Sequence, residues 1–283
     1  MNLTKWQVTF LVLTTSFYIQ CNFDEGLDFG DSRQVQHGIK GEIVFDGAWP
    51  DNVAEARLIA AANFQADAGA LEQFVFSDPI QVGVDRLNYQ LSLNPSTYEV
   101  IAVIFRENGT SWDISNLLAV YAPASPCSVF PDISKAITIE SENSVVDGID
   151  ILVDLTKSKV SGRLNFIGEW PSNVTFAAVL AFEVPLSLPL IPCGIAILPL
   201  NIETADFKML VPENTYTITV VAGKGLSLSE ITFIGSYLVP GTSNTPATVT
   251  VGKNENIQDI NITVDLNLLP KWLSSYSVAI HQD

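Results

Sequence analysis

Gly41-Glu-Ile-Val-Phe45-Asp-Gly47-Ala-Trp49-Pro50-Asp-Asn52-Val53 recurs, at an offset of 121 residues, as Gly162-Arg-Leu-Asn-Phe166-Ile-Gly168-Glu-Trp170-Pro171-Ser-Asn173-Val174. Seven of the thirteen positions are identical, which makes the chain an internal duplication, and a repeat of this length decides the architecture before any local feature is read. The correspondence continues: Thr97-Tyr98 matches Thr215-Tyr216, Tyr121 matches Tyr237, and Val153-Asp154-Leu155 matches Val264-Asp265-Leu266. The offset shrinks to 111 by the last match, and only between matched segments. Length changes confined to connections are what surface loops tolerate, so the matched segments are the framework.

The framework has the period of strands. Tyr98, Val100, Ala102 and Ile104 alternate with Ile101, Val103 and Phe105, which predicts two faces of one strand over 97–106. In the second copy Tyr216, Ile218, Val220 and Ala222 repeat the first face, and Thr217 and Thr219 opposite them predict a more solvated outer surface. Both copies close alike, Ile149, Ile151 and Val153 alternating with Asp150, Leu152 and Asp154 as Ile260, Ile262 and Val264 alternate with Asn261, Thr263 and Asp265. Ala54 to Asn63 is rich in alanine and reads as helix on propensity alone. Its counterpart, beginning Val174-Thr-Phe-Ala-Ala-Val-Leu, carries β-branched and aromatic residues, so strands are expected in both copies. Seven or eight short strands per copy follow, in the first copy near 39–45, 55–63, 73–83, 87–93, 97–106, 115–121, 135–140 and 149–155. Evenly spaced strands separated by turn residues indicate a sandwich.

The opening Gly-x-Ile/Leu-x-Phe-x-Gly, the central Leu91-x-Leu93-x-x-x-x-Tyr98-x-Val100 and the closing Ile-x-Ile-x-Val-Asp-Leu resemble the carboxypeptidase regulatory-like domain, a transthyretin-like β-sandwich. The resemblance spans both repeats, and it implies accessory, binding or spacer modules of exported bacterial proteins, often lipoproteins, without catalysis of their own. The Trp-Pro after the first strand of each copy departs from that pattern. The expected fold class is therefore all-β, two tandem transthyretin-like or Ig-like antiparallel sandwiches behind an N-terminal signal segment. The expected organisation is a signal peptide at 1–20, an acidic tether at 21–36, repeats at 37–156 and 157–268, and a C-terminal tail at 269–283.

The 283 residues are 47% hydrophobic and 16% charged, which suits a globular body with filled cores. Thirty-one acidic against fourteen basic side chains give a formal charge of −17. Such a surface repels phosphate backbones, so nucleic acid is not an expected partner.

Met1 to Tyr18 has the make-up of an export signal, Lys5 preceding an apolar run too short to span a bilayer comfortably. Cys21 stands where that run ends, and the segment resembles the start of a bacterial lipoprotein, whose cysteine becomes the lipid-bearing first residue. Gln20 and Tyr18 depart from that pattern, and ordinary cleavage with Cys21 as a bystander is the other reading. Lipid on Cys21 would make a membrane a partner without any spanning helix. Asp24, Glu25, Asp28 and Asp31 then form a solvated tether. Outer-membrane or cell-surface placement is expected, a secreted or periplasmic soluble protein being the alternative.

Cys127 and Cys193 remain, each preceded by proline and each in a different repeat. An exported protein permits a disulfide between them, which would staple the repeats together; two buried free thiols are the alternative. Candidate chemistry is sparse. His37 and His281 are the only histidines, fall in no ligand-spaced cluster, and read as solvated terminal residues. A Ser or Cys triad lacks its base, and no Gly-x-Ser-x-Gly or phosphate-cradling loop occurs, so no catalytic residue, metal or cofactor is expected. Asp154 and Asp265 read as strand-end caps rather than calcium ligands. Trp49 and Trp170, at one turn in both copies, are candidates for stacking on sugar rings, with packing as the other reading. Val184 to Ile202 carries no charge and four prolines, which leaves either an apolar loop over its own domain or an interface. The function expected is a non-catalytic binding, adhesion or spacer module with an envelope protein or glycan as partner. The alternatives are a carbohydrate- or polymer-binding module and, least favoured, an enzyme with a cryptic carboxylate site.

Overall fold

In the computed structural model, residues 36–62, 70–186, 189–224 and 231–269 are described. The signal segment, Cys21, the acidic tether up to Val35, His281 and all of the tail beyond Leu269 lie outside them. Strands make up the described chain, with short 3-10 turns and no α-helix among the described residues.

The first half runs β1 (Gly38–Asp46), β2 (Val53–Ala61), β3 (Val75–Phe76), β4 (Arg86–Ser92), β5 (Ser96–Tyr98), β6 (Val100–Glu107), β7 (Leu117–Val120), β8 (Ile137–Ile139), β9 (Val145–Val146) and β10 (Ile151–Asp154). The second runs β11 (Ser158–Ile167), β12 (Phe176–Glu183), β13 (Pro192–Ile197), β14 (Thr204–Val211), β15 (Asn214–Gly223), β16 (Ile231–Ser236), β17 (Thr248–Val251), β18 (Asn256–Ile257) and β19 (Ile262–Asp265). Pairing repeats strand for strand. In the outer sheets β1 lies between antiparallel β4 and parallel β9 and β10, as β11 lies between antiparallel β14 and parallel β18 and β19. The inner sheets are ordered β3-β2-β6-β7 and β13-β12-β15-β16. The alanine-rich segment is thus strand β2, and its counterpart is strand β12.

Each pair of repeated glycines has its own physical cause. A Cβ on Gly41 would stand 2.3 Å from the Ile149 carbonyl oxygen, and one on Gly162 would stand 2.1 Å from that of Ile260. In both copies the first strand needs a bare Cα there so that the chain entering the last strand can pass. Gly47 and Gly168 turn the chain at φ of +107° and +97°, a conformation that costs other residues strain. Tyr98 and Tyr216 are likewise equivalent, each donating its buried hydroxyl to the carbonyl four residues back, Asn94 at 3.1 Å and Pro212 at 2.8 Å.

The faces of the sixth strand differ from the expectation. Glu99 interrupts the pairing, its N–H going to the Ala61 carbonyl, and the alternation slips by one residue. Tyr98 therefore joins Ile101, Val103 and Phe105 in the sandwich core, while Ala102 and Ile104 face the other way. In β15 there is no interruption, so Tyr216, Ile218, Val220 and Ala222 share the core of the second sandwich as expected. Three further differences concern strand extent. The strand expected over 73–83 shrinks to β3 and an isolated Ala56–Ile80 pair, β9 is additional, and 97–106 is divided into β5 and β6.

The outer face of the inner sheets is not solvated. Ile59, Ala61, Ala102 and Ile104 of the first half pack in one cluster with Phe176, Ala178, Leu180, Phe182, Ile195 and Val221 of the second. Thr219, expected at a wet surface, is 5% exposed, and its hydroxyl donates to the Gly235 carbonyl at 2.8 Å. Three apolar layers result, one inside each sandwich and one between them, and the described residues form one compact unit. The uncharged stretch from Val184 to Ile202 serves both layers it adjoins, since β13 sends Ile195 and Ile197 into the shared layer and Cys193 and Ala196 into its own core.

Polar groups trim the junction. Glu107 of β6 accepts from Lys208 Nζ at 2.8 Å and pairs with Lys159 Nζ at 3.4 Å. Burial pushes its carboxyl up, but the hydrogen bond and charge of Lys208, with Lys159 and Asn52, prevail and hold it below the usual range. Lys157, in the connection between the halves, donates to the Leu118 carbonyl at 2.6 Å. Burial pushes its ammonium down to about 8, with Asp154 opposing.

Gly41→Ala and Gly162→Ala are each expected to destabilise the fold by more than about 2 kcal/mol, because a carbonyl rather than a flexible side chain must yield; chemical denaturation measures it, and wild-type stability in both variants would contradict this reading of the repeat. Lys157 supplies a pH signature. Its folded value lies below the ordinary 10.5, so the unfolded chain binds more protons between about 8 and 10.5, and stability rises with pH across that window. Lys157→Met is expected to flatten this rise in melting temperature.

Candidate functional site

The most concentrated chemistry lies where the halves meet at the end of β12. After β7 the chain turns at Ala122, whose φ is +44°, and closes a small hairpin through the Pro123–Pro131 pair and the bond from Ala124 N–H to the Phe130 carbonyl. This hairpin reaches across to the second half: Val129 N–H donates to the Pro192 carbonyl at 3.3 Å. That seats Cys127 against β13 of the other repeat. The equivalent hairpin of the second half, closed by Leu238 and Pro246, carries no cysteine.

Cys127 and Cys193 stand with their sulfurs 2.07 Å apart, a disulfide distance, and their Cα atoms 4.8 Å apart. Cys193 is fully buried and Cys127 is half-buried. Glu183, the exposed last residue of β12, brings a carboxylate oxygen to 3.9 Å from Cys127 Sγ. Its other oxygen accepts from Asn214 Nδ2, which fixes the side chain over the sulfurs. Ser125 Oγ lies 3.7 Å from Cys127 Sγ. The phenol of Tyr216, paired with Glu183 across the strands, is pushed up by burial and then by the charge of Glu183. One donor atom each from Cys127, Glu183 and Cys193 falls within 4.8 Å of the others, and this is the group of three or more His, Cys, Asp or Glu ligands that converges among the described residues. Glu183 was not singled out by the sequence; it occupies an ordinary strand end, and no spacing rule links it to a cysteine in another repeat.

The paired tryptophans occupy matching places. Trp49 Nε1 donates to the Val84 carbonyl at 2.9 Å and its ring lies 4.6 Å from that of Phe45; Trp170 Nε1 donates to the Ile202 carbonyl at 2.9 Å and its ring lies 4.7 Å from that of Phe166. Each indole thus closes the mouth of its own sandwich, half-buried against its core. Asp154 and Asp265 are strand-end caps. Asp154 accepts from the Thr156 N–H and hydroxyl at 2.8 and 2.6 Å, and Asp265 accepts from Asn267 N–H and Nδ2 at 3.0 and 2.9 Å. His37 is not a solvated residue. It is half-buried, with Nδ1 2.7 Å from the Leu93 carbonyl, which ties the start of β1 to the end of β4. Trp112, which the sequence did not single out, packs tilted against Phe76 with ring centroids 5.5 Å apart, and the Arg106 guanidinium lies over its ring at 5.8 Å.

No family model matches the sequence, and no curated protein matches it. Among solved structures the chain is similar to a leucine-rich repeat protein of Bacteroides thetaiotaomicron, at 14% identity and a TM-score of 0.36, over 82% of this chain and 26% of that one. It is similar to a candidate adhesin of Bacteroides ovatus at 15% identity and a TM-score of 0.24, over 85% of this chain and 96% of that one. It is also similar to GBS52, the minor pilin of Streptococcus agalactiae, at 8% identity and a TM-score of 0.25, over 82% and 98%. The chain spans about a quarter of the first of these proteins and a third of the Bacillus anthracis TIE protein, which it also resembles. TM-scores this low leave the all-β sandwich assignment resting on the strand pairing itself.

Proposed function

We propose that this chain is a non-catalytic binding, adhesion or spacer module of a bacterial cell envelope, held to a membrane by lipid on Cys21 and built of two carboxypeptidase regulatory-like repeats. The observation that carries the reading is the shared apolar layer. Burying the outer faces of both inner sheets removes the hinge a two-domain enzyme uses to close on a substrate. What it leaves is a stiff body suited to holding a surface at a set distance. One convergent ligand group stands among the described residues, and the repeated Asp and Trp positions are occupied by capping and packing. No helix among the described residues is long and apolar enough to cross a membrane. The net charge of −17 keeps such a body soluble and away from nucleic acid.

Carbohydrate binding at Trp49 and Trp170 is a second reading, supported by their repetition and partial exposure. The packing on Phe45 and Phe166 leaves each ring one free side at most.

Mass spectrometry of the mature protein from its native membrane fraction is expected to find diacylglycerol on Cys21, and Cys21→Ala is expected to move the protein to the soluble fraction. An unmodified N-terminus in membrane-bound protein would overturn the anchor while leaving the module reading intact. Tryptophan emission is expected to stay unchanged across a panel of cell-wall and plant glycans. Saturable quenching that Trp49→Phe or Trp170→Phe removes would replace the spacer reading with the carbohydrate-binding one.

A further inference from the structure

The cluster of Cys127, Glu183 and Cys193 has chemistry that a structural cross-link does not use. A disulfide offers a carboxylate no proton and no charge, yet Glu183 is held over these sulfurs by Asn214. Neither of these neighbours carries positive charge. The three ligand types, two sulfurs and one carboxylate oxygen, are those of a soft divalent cation site.

We propose that Cys127, Cys193 and Glu183 form a binding site for one thiophilic divalent cation of the zinc type when the two sulfurs are in the thiol state. Tetrahedral zinc with sulfur ligands at about 2.3 Å sets its donor atoms roughly 3.3–3.8 Å apart. These three atoms lie within 4.8 Å of one another, and the two sulfurs, 2.07 Å apart as a disulfide, move apart to that spacing once the bond is reduced. Burial is graded in the useful direction, with Cys193 fully enclosed, Cys127 half-buried and Glu183 exposed. The cation enters from the Glu183 side, and water takes the fourth position there. The disulfide is the closed form of the site. Two electrons from a dithiol or phosphine reductant convert S–S to two S–H, the dithiol becoming its own disulfide or the phosphine, with water, its oxide. The cation then binds two thiolates and releases two protons. Both forms join the hairpin of the first repeat to β13 of the second, so the halves stay tied in either redox state. This site is independent of what the module binds.

The test uses the full chain carrying Cys21→Ser, which leaves two of its three cysteines. The protein is reduced with a water-soluble trialkylphosphine, freed of it without air, and titrated with cobalt(II) as the probe. The expected result is one ion per chain, a sulfur-to-cobalt charge-transfer band in the near ultraviolet, two protons released per ion, and displacement of cobalt by zinc. The oxidised chain is expected to show no band. Glu183→Gln keeps the band but shifts the titration to about tenfold higher cobalt or beyond. Cys127→Ser, on the half-buried hairpin, loses the band while the far-ultraviolet circular dichroism stays that of the parent. Absence of the band up to roughly millimolar cobalt, corresponding to binding weaker than about −4 kcal/mol, overturns the proposal. So does a band that survives Cys127→Ser or appears in the oxidised chain, and so does a titration that Glu183→Gln leaves in place.

Discussion

Ile59, Ala61, Ala102 and Ile104 on one sheet, against Phe176, Ala178, Leu180 and Val221 on the other, form the contact on which the rest of this molecule depends. Burial of each large aliphatic or aromatic side chain contributes about 1.5–3 kcal/mol. The partly exposed ion pairs of Glu107 with Lys159 and Lys208 contribute up to about 1 kcal/mol each. The layer therefore dominates, and the charges fix register around it. Equivalent strands of the two copies face each other, so the halves meet through the same element of the fold, as subunits do across a self-complementary dimer interface.

That contact explains why the inner strands are apolar on both faces. An antiparallel sandwich strand ordinarily alternates apolar and polar residues because one side is wet. β12 is buried along nearly its whole length, from Phe176 through Phe182, and its sequence, Phe-Ala-Ala-Val-Leu-Ala-Phe, resembles a strand of a doubly covered sheet. Where β2 leaves the layer, Glu55 and Arg57 replace the apolar counterparts Phe176 and Ala178, and Glu55 pairs with both Arg57 and Arg106. The change from ion pairs to phenylalanine between two copies of one strand marks the edge of the covered area.

The same contact positions the cysteine site. Because the inner sheets abut, the hairpin after β7 arrives beside β13, and Cys127 meets Cys193 although 66 residues separate them. The copies have diverged here while keeping identical pairing. The first contributes a cysteine-bearing hairpin and an interruption at Glu99, and the second contributes the proline-flanked strand and an unbroken β15.

The sequence by itself determined the duplication, the all-β class, the strand character of the alanine-rich segment and the positions of the repeated glycines. Each of these depends on backbone constraints local to a strand or turn: side-chain alternation, a missing Cβ, a positive φ. What the tertiary structure decided is which apolar faces meet. Periodicity states that Thr219 and Val221 share a face, but not that another sheet covers it, and a single inserted residue at Glu99 reverses the assignment of Tyr98 without altering composition. The pairing of Cys127 with Cys193 was one of two readings the sequence left open, and the approach of Glu183 to them was hidden, because it is set by the packing of two sheets and no spacing along one chain encodes that distance.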